Sequence, residues 1–298
     1  MTDAALIYCV GATKAGTSWL YRYLHAHDGV TVRAVKEAHY WNTDRPGALK
    51  HQLAALDRKA ATLRTRQAEA ADEGKVWKVG NLGRQIAEVE ALIAVLSGDR
   101  AGHAGYRDWL FAGAEGLPVA DITPAYALLP AVRYREMAAV SPVTRFLFLL
   151  RDPIDRLWSH VRMIAKRQPV AGQGFEARAN AILSEVVAGD ARHAHIVTRG
   201  DYRDTLTRLR AAVPARDLLT AFMERMVTGE ALGAICAFLG IAERPAPEKR
   251  VHEGLPARMD ESLRPRVAAA LKEQYDWVAE NVGPLPQRWQ DNLQRALA

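Results

Sequence analysis

Apolar residues fall into two rhythms along the chain. Mostly apolar runs occupy 4–10, 117–120, 144–150 and 218–222, and each is followed by a stretch in which apolar positions return every three or four residues. Trp19, Leu20, Tyr23 and Leu24 set that second rhythm after the first run. Short runs without polar alternation predict strands covered on both faces, and strands alternating with amphipathic helices predict a parallel sheet. The expected fold class is therefore α/β, a three-layer, P-loop-like arrangement of helices around a central parallel sheet.

Between 46 and 105 the pattern changes. Leu49, Leu53, Leu56, Ala60 and Leu63 repeat at 4-3-4-3 spacing amid Arg, Lys, Gln and Ala, and Ile86, Val89, Ile93 and Leu96 repeat at 3-4-3 spacing. This heptad-like periodicity on either side of a break at 74–83 predicts an antiparallel helical hairpin inserted into a single domain spanning 1–298. Periodicity alone leaves three roles open for the hairpin: local packing, an acceptor- or partner-binding arm, and a homodimer contact. Near the end, Val267, Leu271, Gln274 and Val278 mark one stripe of a helix over 263–282.

Composition narrows the class of protein. Hydrophobic residues at 49% and charged residues at 25% describe a globular chain, not a disordered or collagen-like one. Cys9 and Cys236 both sit in apolar runs, so buried thiols and a reducing, cytoplasmic compartment are expected in place of disulfides or zinc. No segment reaches the ~18 consecutive apolar residues of a spanning helix. The net charge of +6 suits an anionic ligand but is too diffuse to imply nucleic acid.

Two stretches carry chemistry. Gly11-Ala12-Thr13-Lys14-Ala15-Gly16-Thr17-Ser18 lies between the first strand and the first helix, and its G-x-x-x-x-G frame offers backbone amides and a helix dipole to an anion. The ATPase form of this loop has Lys directly after the second Gly, where this chain has Thr17; the loop's lysine is Lys14. Keeping the cradle while moving the cation suits a phosphate-bearing donor that needs no metal. After the 144–150 run, Arg151 sits at a strand's carboxyl end, Pro153 opens a helix, and Ser159 follows about two turns along. Arg151 and Ser159 are then placed to share one phosphate, with an Arg151–Asp155 ion pair as the competing reading. His193 and His195 lack Cys or carboxylate companions at ligand spacing, so no metal site is expected.

Taken in order, these stretches resemble the sulfotransferases that use 3′-phosphoadenosine 5′-phosphosulfate (PAPS), in particular the branch of the heparan-sulfate enzymes and their bacterial relatives. The family's K-x-G-T loop core is similar to Lys14-Ala15-Gly16-Thr17, and its strand-end Arg with a Ser eight residues on is similar to Arg151 and Ser159. Lys36-Glu37-Ala38-His39-Tyr40-Trp41 resembles the K-E-x-H-F-F segment, and Asp121-Ile122-Thr123-Pro124-Ala125-Tyr126 resembles E-K-[ST]-P-x-Y. Gly200-Asp201-Tyr202 with Leu206 and Leu209 fits the helix after the donor site, and 218–241 fits the late strand, turn and F-L-G helix. Two departures stand out: Ile122 replaces the segment's lysine, and the 46–105 insert has no counterpart in the family pattern.

The resemblance implies an enzyme that moves the sulfuryl group of PAPS to a hydroxyl or amine, without metal. Glu37 is implied as catalytic base and Lys14 as the cation at the leaving phosphate, with His39 as an acceptor-side candidate. Lys14, Ala15, Gly16, Thr17 and Ser18 would hold the 5′-phosphosulfate, and Arg151 and Ser159 the 3′-phosphate. Arg250, in the charged run that occupies the place of the family's late loop, is a further candidate for that phosphate, and Lys36 for the sulfate oxygens. The acceptor class stays open among saccharide, lipid, peptide and small metabolite. Tyr40, Trp41, Trp77, Tyr106 and Trp109 are available either to stack on it or to pack in the core. A nucleotide or small-molecule kinase and a non-catalytic binding protein of the same fold are the alternatives.

Overall fold

Five strands form one sheet in the order β2-β3-β1-β4-β5, and every neighbouring pair is parallel. They are β1 Leu6–Gly11, β2 Thr31–Val32, β3 Val119–Ile122, β4 Thr144–Leu150 and β5 Leu218–Phe222. The computed structural model describes residues 4–246 and 255–297; Arg250 and its neighbour Lys249 lie outside the described residues. All residues of β1 and β3 are buried, as strands covered by helices on both faces are, and the one charged residue among them, Asp121 of β3, accepts from the hydroxyls of Tyr106, Thr123 and Tyr126 at 2.6–2.9 Å. The four expected strands are present, and β2 is an addition that the sequence pattern did not mark.

The topology places the chemistry. β1 pairs with β3 on one side and β4 on the other, so the chain reverses its direction of winding there and the loops leaving β1 and β4 are neighbours. Ala12 N–H donates to the Leu149 carbonyl at 2.8 Å, tying the two strand ends together. Helix α1, Thr17–His25, follows the β1 loop directly.

The inserted hairpin is α2, Ala48–Asp72, and α3, Val76–Ser97. Leu56, Ala60 and Leu63 of α2 and Ile86, Val89 and Leu96 of α3 are buried on the seam the periodicity marked. The break is shorter than expected, confined to the residues between Asp72 and Val76, because Gly80 and Gly83 lie inside α3. Gly83 lets the helices approach: a Cβ there would stand 3.0 Å from Gln67 Nε2, which donates to the Val79 carbonyl at 3.1 Å.

The remaining helices are α4 Ala104–Phe111, α5 Ala131–Ala138, α6 Pro153–Arg167, α7 Phe175–Val187, α8 Ala194–Thr198, α9 Tyr202–Arg210, α10 Met223–Val227, α11 Leu232–Leu239, α12 Arg264–Asn281 and α13 Gln287–Leu297. Asp152 caps α6, accepting from Asp155 N–H, Tyr275 Oη and Asn292 Nδ2, each at 2.8 Å, so α12 and α13 fix where α6 begins. Burial pushes the Asp152 carboxyl up to about 6. Val267 and Val278 of the α12 stripe are buried, and Gln274 accepts from Tyr202 N–H at 3.0 Å. Both cysteines are buried thiols, and burial pushes Cys9 up to about 12.

The aromatic residues sort differently from the stacking role. Tyr40, Trp41, Tyr106 and Trp109 are buried, with Tyr40 and Tyr106 stacked at 4.1 Å between centroids. They are core, and only Trp77 of the five is exposed, at the hairpin tip.

Candidate active site

The loop after β1 is shaped to receive an anion. Gly16, at the N-cap of α1, has φ 86°, and a Cβ there would meet Met223 Cγ at 2.6 Å, so no side chain is admissible. Among the described residues, no backbone acceptor takes the N–H groups of Lys14, Gly16, Thr17 and Ser18. Four amides at a helix N-terminus therefore lie open to a ligand. Lys14 is half-buried with φ 71°, a left-handed conformation unusual for a non-glycine residue. Burial, then the charges of Arg151, Arg162 and Arg167, lowers its ammonium below the usual lysine range. A desolvated cation among cations is stabilised by an arriving anion.

Arg151 joins this loop to β4. Its Nη1 donates to the Lys14 carbonyl at 3.1 Å, while Tyr202 Oη donates to the Arg151 carbonyl at 2.6 Å and holds the strand end in place. The competing Asp155 pairing is weak, at 4.0 Å, because Asp155 is engaged by Arg288 at 2.7 Å. Arg151 Nε is buried with no hydrogen-bond partner among the described residues. An orphaned guanidinium donor of this kind calls for an acceptor that arrives from outside.

Asp155, Ser159 and Arg162 share one face of α6 at i, i+4 and i+7. Ser159 is half-buried, and its hydroxyl makes no hydrogen bond with a described residue. Arg162, which sequence reading missed, has its Nε buried beside Arg151 with no partner among the described residues, and its Nη1 donates to the Leu255 carbonyl at 3.3 Å. Its spacing of three from Ser159 was the available signal. His160, on the other side of the helix, is buried; burial and then the Arg156 charge push it down to about 2, so it is a neutral packing group.

Glu37 sits in an irregular segment, yet that segment is held from four directions. Tyr21 Oη of α1 donates to the Arg33 carbonyl at 2.9 Å, and Arg33 Nη2 donates to the Leu110 carbonyl of α4 at 2.9 Å. Glu88 of α3 accepts from Ala34 N–H at 2.5 Å, and Gln52 of α2 donates to the Ala38 carbonyl at 3.2 Å. Both hairpin helices thus grip the segment that carries Glu37. Glu37 and His39 have φ 66° and 56°, so with Lys14 three of the five left-handed non-glycine residues among the described residues are site candidates. Such conformations persist where the surroundings over-determine them, and they concentrate at functional sites.

Lys36 Nζ lies 2.5 Å from Glu37 Oε1, and His39 Nε2 lies 3.5 Å from Oε2. Burial works to raise the Glu37 carboxyl, but the hydrogen bond from His39 and the charge of Lys36 outweigh it and hold the group down at about 2. Arg199, at the end of α8, lies within electrostatic reach of Glu37 with Arg45 and Arg167 nearby. None of these three arginines forms an ion pair or side-chain hydrogen bond with a described residue. A shallow groove of about 540 Å³ runs along Gly47, Leu49, Lys50, Leu53, Ala54 and Asp57, next to the Gln52 contact with the segment. Ile122 is buried in register with Cys9, an apolar core position where the related segment has its lysine.

A parallel sheet with a glycine loop after β1, an arginine after β4 and a held carboxylate beside them is an arrangement suited to a group-transfer enzyme. The Sulfotransferase family pattern matches residues 7–245, and the chain belongs to that family. Its reaction is sulfuryl transfer. The solved sulfotransferase from Alicyclobacillus acidocaldarius shares the fold at TM-score 0.60 and 18% identity, covering 95% of this chain and 98% of that one. The sulfotransferase domain of the Synechococcus PCC 7002 olefin synthase gives TM-score 0.44 at 16% identity over 98% and 92% of the two chains. The sulfotransferase domain of the curacin biosynthetic pathway gives 0.41 at 15% over 99% and 96%. No curated protein sequence matches the chain at a significant level.

Proposed function

We propose that the chain, acting as one domain, transfers the sulfuryl group of PAPS to the hydroxyl or amine of an acceptor held between the 33–42 segment and the hairpin. One observation carries the donor assignment: Arg151 bridges to the Lys14 carbonyl at 3.1 Å while its buried Nε has no partner among the described residues, which supports reading the two stretches as one anion site. Gly16, Thr17 and Ser18 take the 5′-phosphosulfate on their amides, with Ala15 shaping the loop. Arg151, Ser159 and Arg162 take the 3′-phosphate, which ATP lacks.

In the reaction the acceptor oxygen or nitrogen forms a bond to sulfur as the bond from sulfur to the bridging phosphate oxygen breaks. The acceptor proton passes to the Glu37 carboxylate, and the electron pair and its charge pass to the 5′-phosphate of the departing adenosine 3′,5′-bisphosphate. Lys14 stabilises that charge where it develops. His39 orients Glu37 through the 3.5 Å contact. Arg45, Arg167 and Arg199 favour an acceptor that carries negative charge beside the reacting group.

Lys36 holds Glu37 as a weak base until sulfuryl oxygens compete for its ammonium. Glu37 stays ionised down to about pH 2, so it gives the native enzyme no acid limb above that. Lys36→Met removes one of the charges that lower the carboxyl. The acid limb of kcat/KM should then move up toward the ordinary glutamate value of about 4.3. A profile between pH 4 and 7 identical to that of the native protein would show that Lys36 does not set it.

Arg151→Ala should weaken adenosine 3′,5′-bisphosphate binding by about 1.5–3 kcal/mol, the worth of a charge-assisted contact, read by titration calorimetry. The proposal as a whole is tested by incubating the protein with sulfur-labelled PAPS and fractionated acceptor extracts. Label should move from the nucleotide to an extract component. Label that only appears as free sulfate, at the rate seen without extract, would leave no acceptor reaction to explain.

A further inference from the structure

The hairpin ends in a surface that neither the sheet nor the site uses. Val76 and Trp77, adjacent at the start of α3, are 82% and 74% exposed, the two most exposed large apolar side chains among the described residues. The other six tryptophans are buried or half-buried. Lys75 and Lys78 flank the pair, and Arg84 lies two turns further along α3. Asp72 and Glu73 oppose them, with Glu73 engaging Lys75 at 2.7 Å, while Lys78 and Arg84 form no ion pair with a described residue. Down to the level of Arg84, with Arg66 and Glu69 of α2 included, the tip therefore carries four cations against three carboxylates around an exposed indole.

We propose that this tip, Lys75 to Lys78, docks on the surface of an anionic lipid bilayer. An indole seated at headgroup depth with its polar edge wet, an aliphatic neighbour and flanking lysines is the chemistry that an interface selects. The alternative occupant, a second protein, needs about 800 Å² from each partner, which two side chains on a helical turn cannot supply. The arm's length fits the same role. Gln52 touches the Glu37 segment, and the end of α2 lies twenty residues further on, about 30 Å away. The hairpin would hold the catalytic segment above the headgroups, in water, where a nucleotide donor can reach it. This docking is independent of the sulfuryl-transfer reading.

The test uses the full-length protein and vesicles of phosphatidylcholine, alone or with about 30 mol% phosphatidylglycerol, read by co-sedimentation. Binding to the anionic vesicles should exceed binding to neutral ones about fivefold, the worth of one net positive charge near such a surface. Tryptophan emission should shift to the blue and be quenched by brominated lipid, a change assigned to Trp77 by its loss in Trp77→Ser. Trp77→Ser should lower vesicle binding about tenfold or more and abolish the shift, and Lys78→Gln should remove the anionic preference while leaving neutral binding in place. Three results would each overturn the proposal: no binding to either vesicle, binding unchanged by Trp77→Ser, or a lipid-free dimer that Trp77→Ser dissociates. Because Trp77 is 74% exposed, the variant is expected to keep its fold, and a melting temperature equal to that of the native protein verifies this.

Discussion

Glu37→Gln is expected to lower turnover by about 10²–10⁴-fold while leaving adenosine 3′,5′-bisphosphate affinity within about twofold of native. The amide keeps the size and polarity of the side chain but cannot take the acceptor's proton. Its effect falls on kcat because the proton moves only in the transition state. Donor affinity should be spared because the proposed nucleotide site consists of Arg151, Ser159 and the amides of the β1 loop, none of which forms a hydrogen bond or ion pair with Glu37. The expected pattern separates Glu37 from Lys14, whose loss should lower kcat and weaken donor binding together. Full activity in Glu37→Gln would move the role of base to His39, which lies on the same segment.

Gly200→Ala should be the most destabilising single methyl group among these positions. A Cβ at Gly200 would stand 2.2 Å from Arg156 Cζ, inside any permitted contact. Arg156 cannot retreat: it is 1% exposed, donates to the Ile196 carbonyl at 3.0 Å, and packs against His160. Either the buried guanidinium loses its acceptor or the connection between α8 and α9 shifts. We expect a loss of about 3 kcal/mol, on the order of 6–12 °C in Tm for a chain of this size. Donor affinity should fall as well, because Tyr202, two residues on, holds the Arg151 carbonyl at 2.6 Å. Arg156→Met in the same chain should recover part of the stability, since a flexible thioether can yield where a bonded guanidinium cannot. Additive losses in a thermal melt of the double variant would contradict the steric account.

What the sequence revealed and what it hid divide on physical lines. β1, its loop and α1 were legible because a run of apolar residues, a glycine pair and a return to helical spacing each leave a local mark. Arg151 and Ser159 were legible because strand, proline and helix fix their relation within nine residues. β2 was hidden because two residues, Thr31 and Val32, cannot show a period. The extent of α3 was misjudged because Gly80 and Gly83 read as breakers, whereas Gly83 is there for the approach of Gln67. α13 was hidden by its polar text, in which Trp289 is the one fully buried large side chain.

At the candidate site, residues that share a motif were legible in the sequence and those placed by tertiary packing were not. Arg162 and Arg199 stand in unremarkable charged stretches, and only folding brings them beside Arg151 and Glu37. The left-handed backbone of Lys14, Glu37 and His39 has no local signal either, since glycine or asparagine is what normally announces it. Gln52 and Glu88 tie the insert to the 33–42 segment, a contact that its heptad spacing could not distinguish from a dimer seam.

Lys14, Arg151 and Ser159 are proposed to form one site for a nucleotide bearing both 5′- and 3′-phosphates. Calorimetric titration of the full-length protein with adenosine 3′,5′-bisphosphate in the presence of EDTA tests it most directly. The expected result is one site per chain, with affinity that falls at least tenfold when the 3′-phosphate is removed from the ligand. Equal binding of adenosine 5′-phosphate, or tight binding of Mg·ATP in place of the bisphosphate, would contradict it.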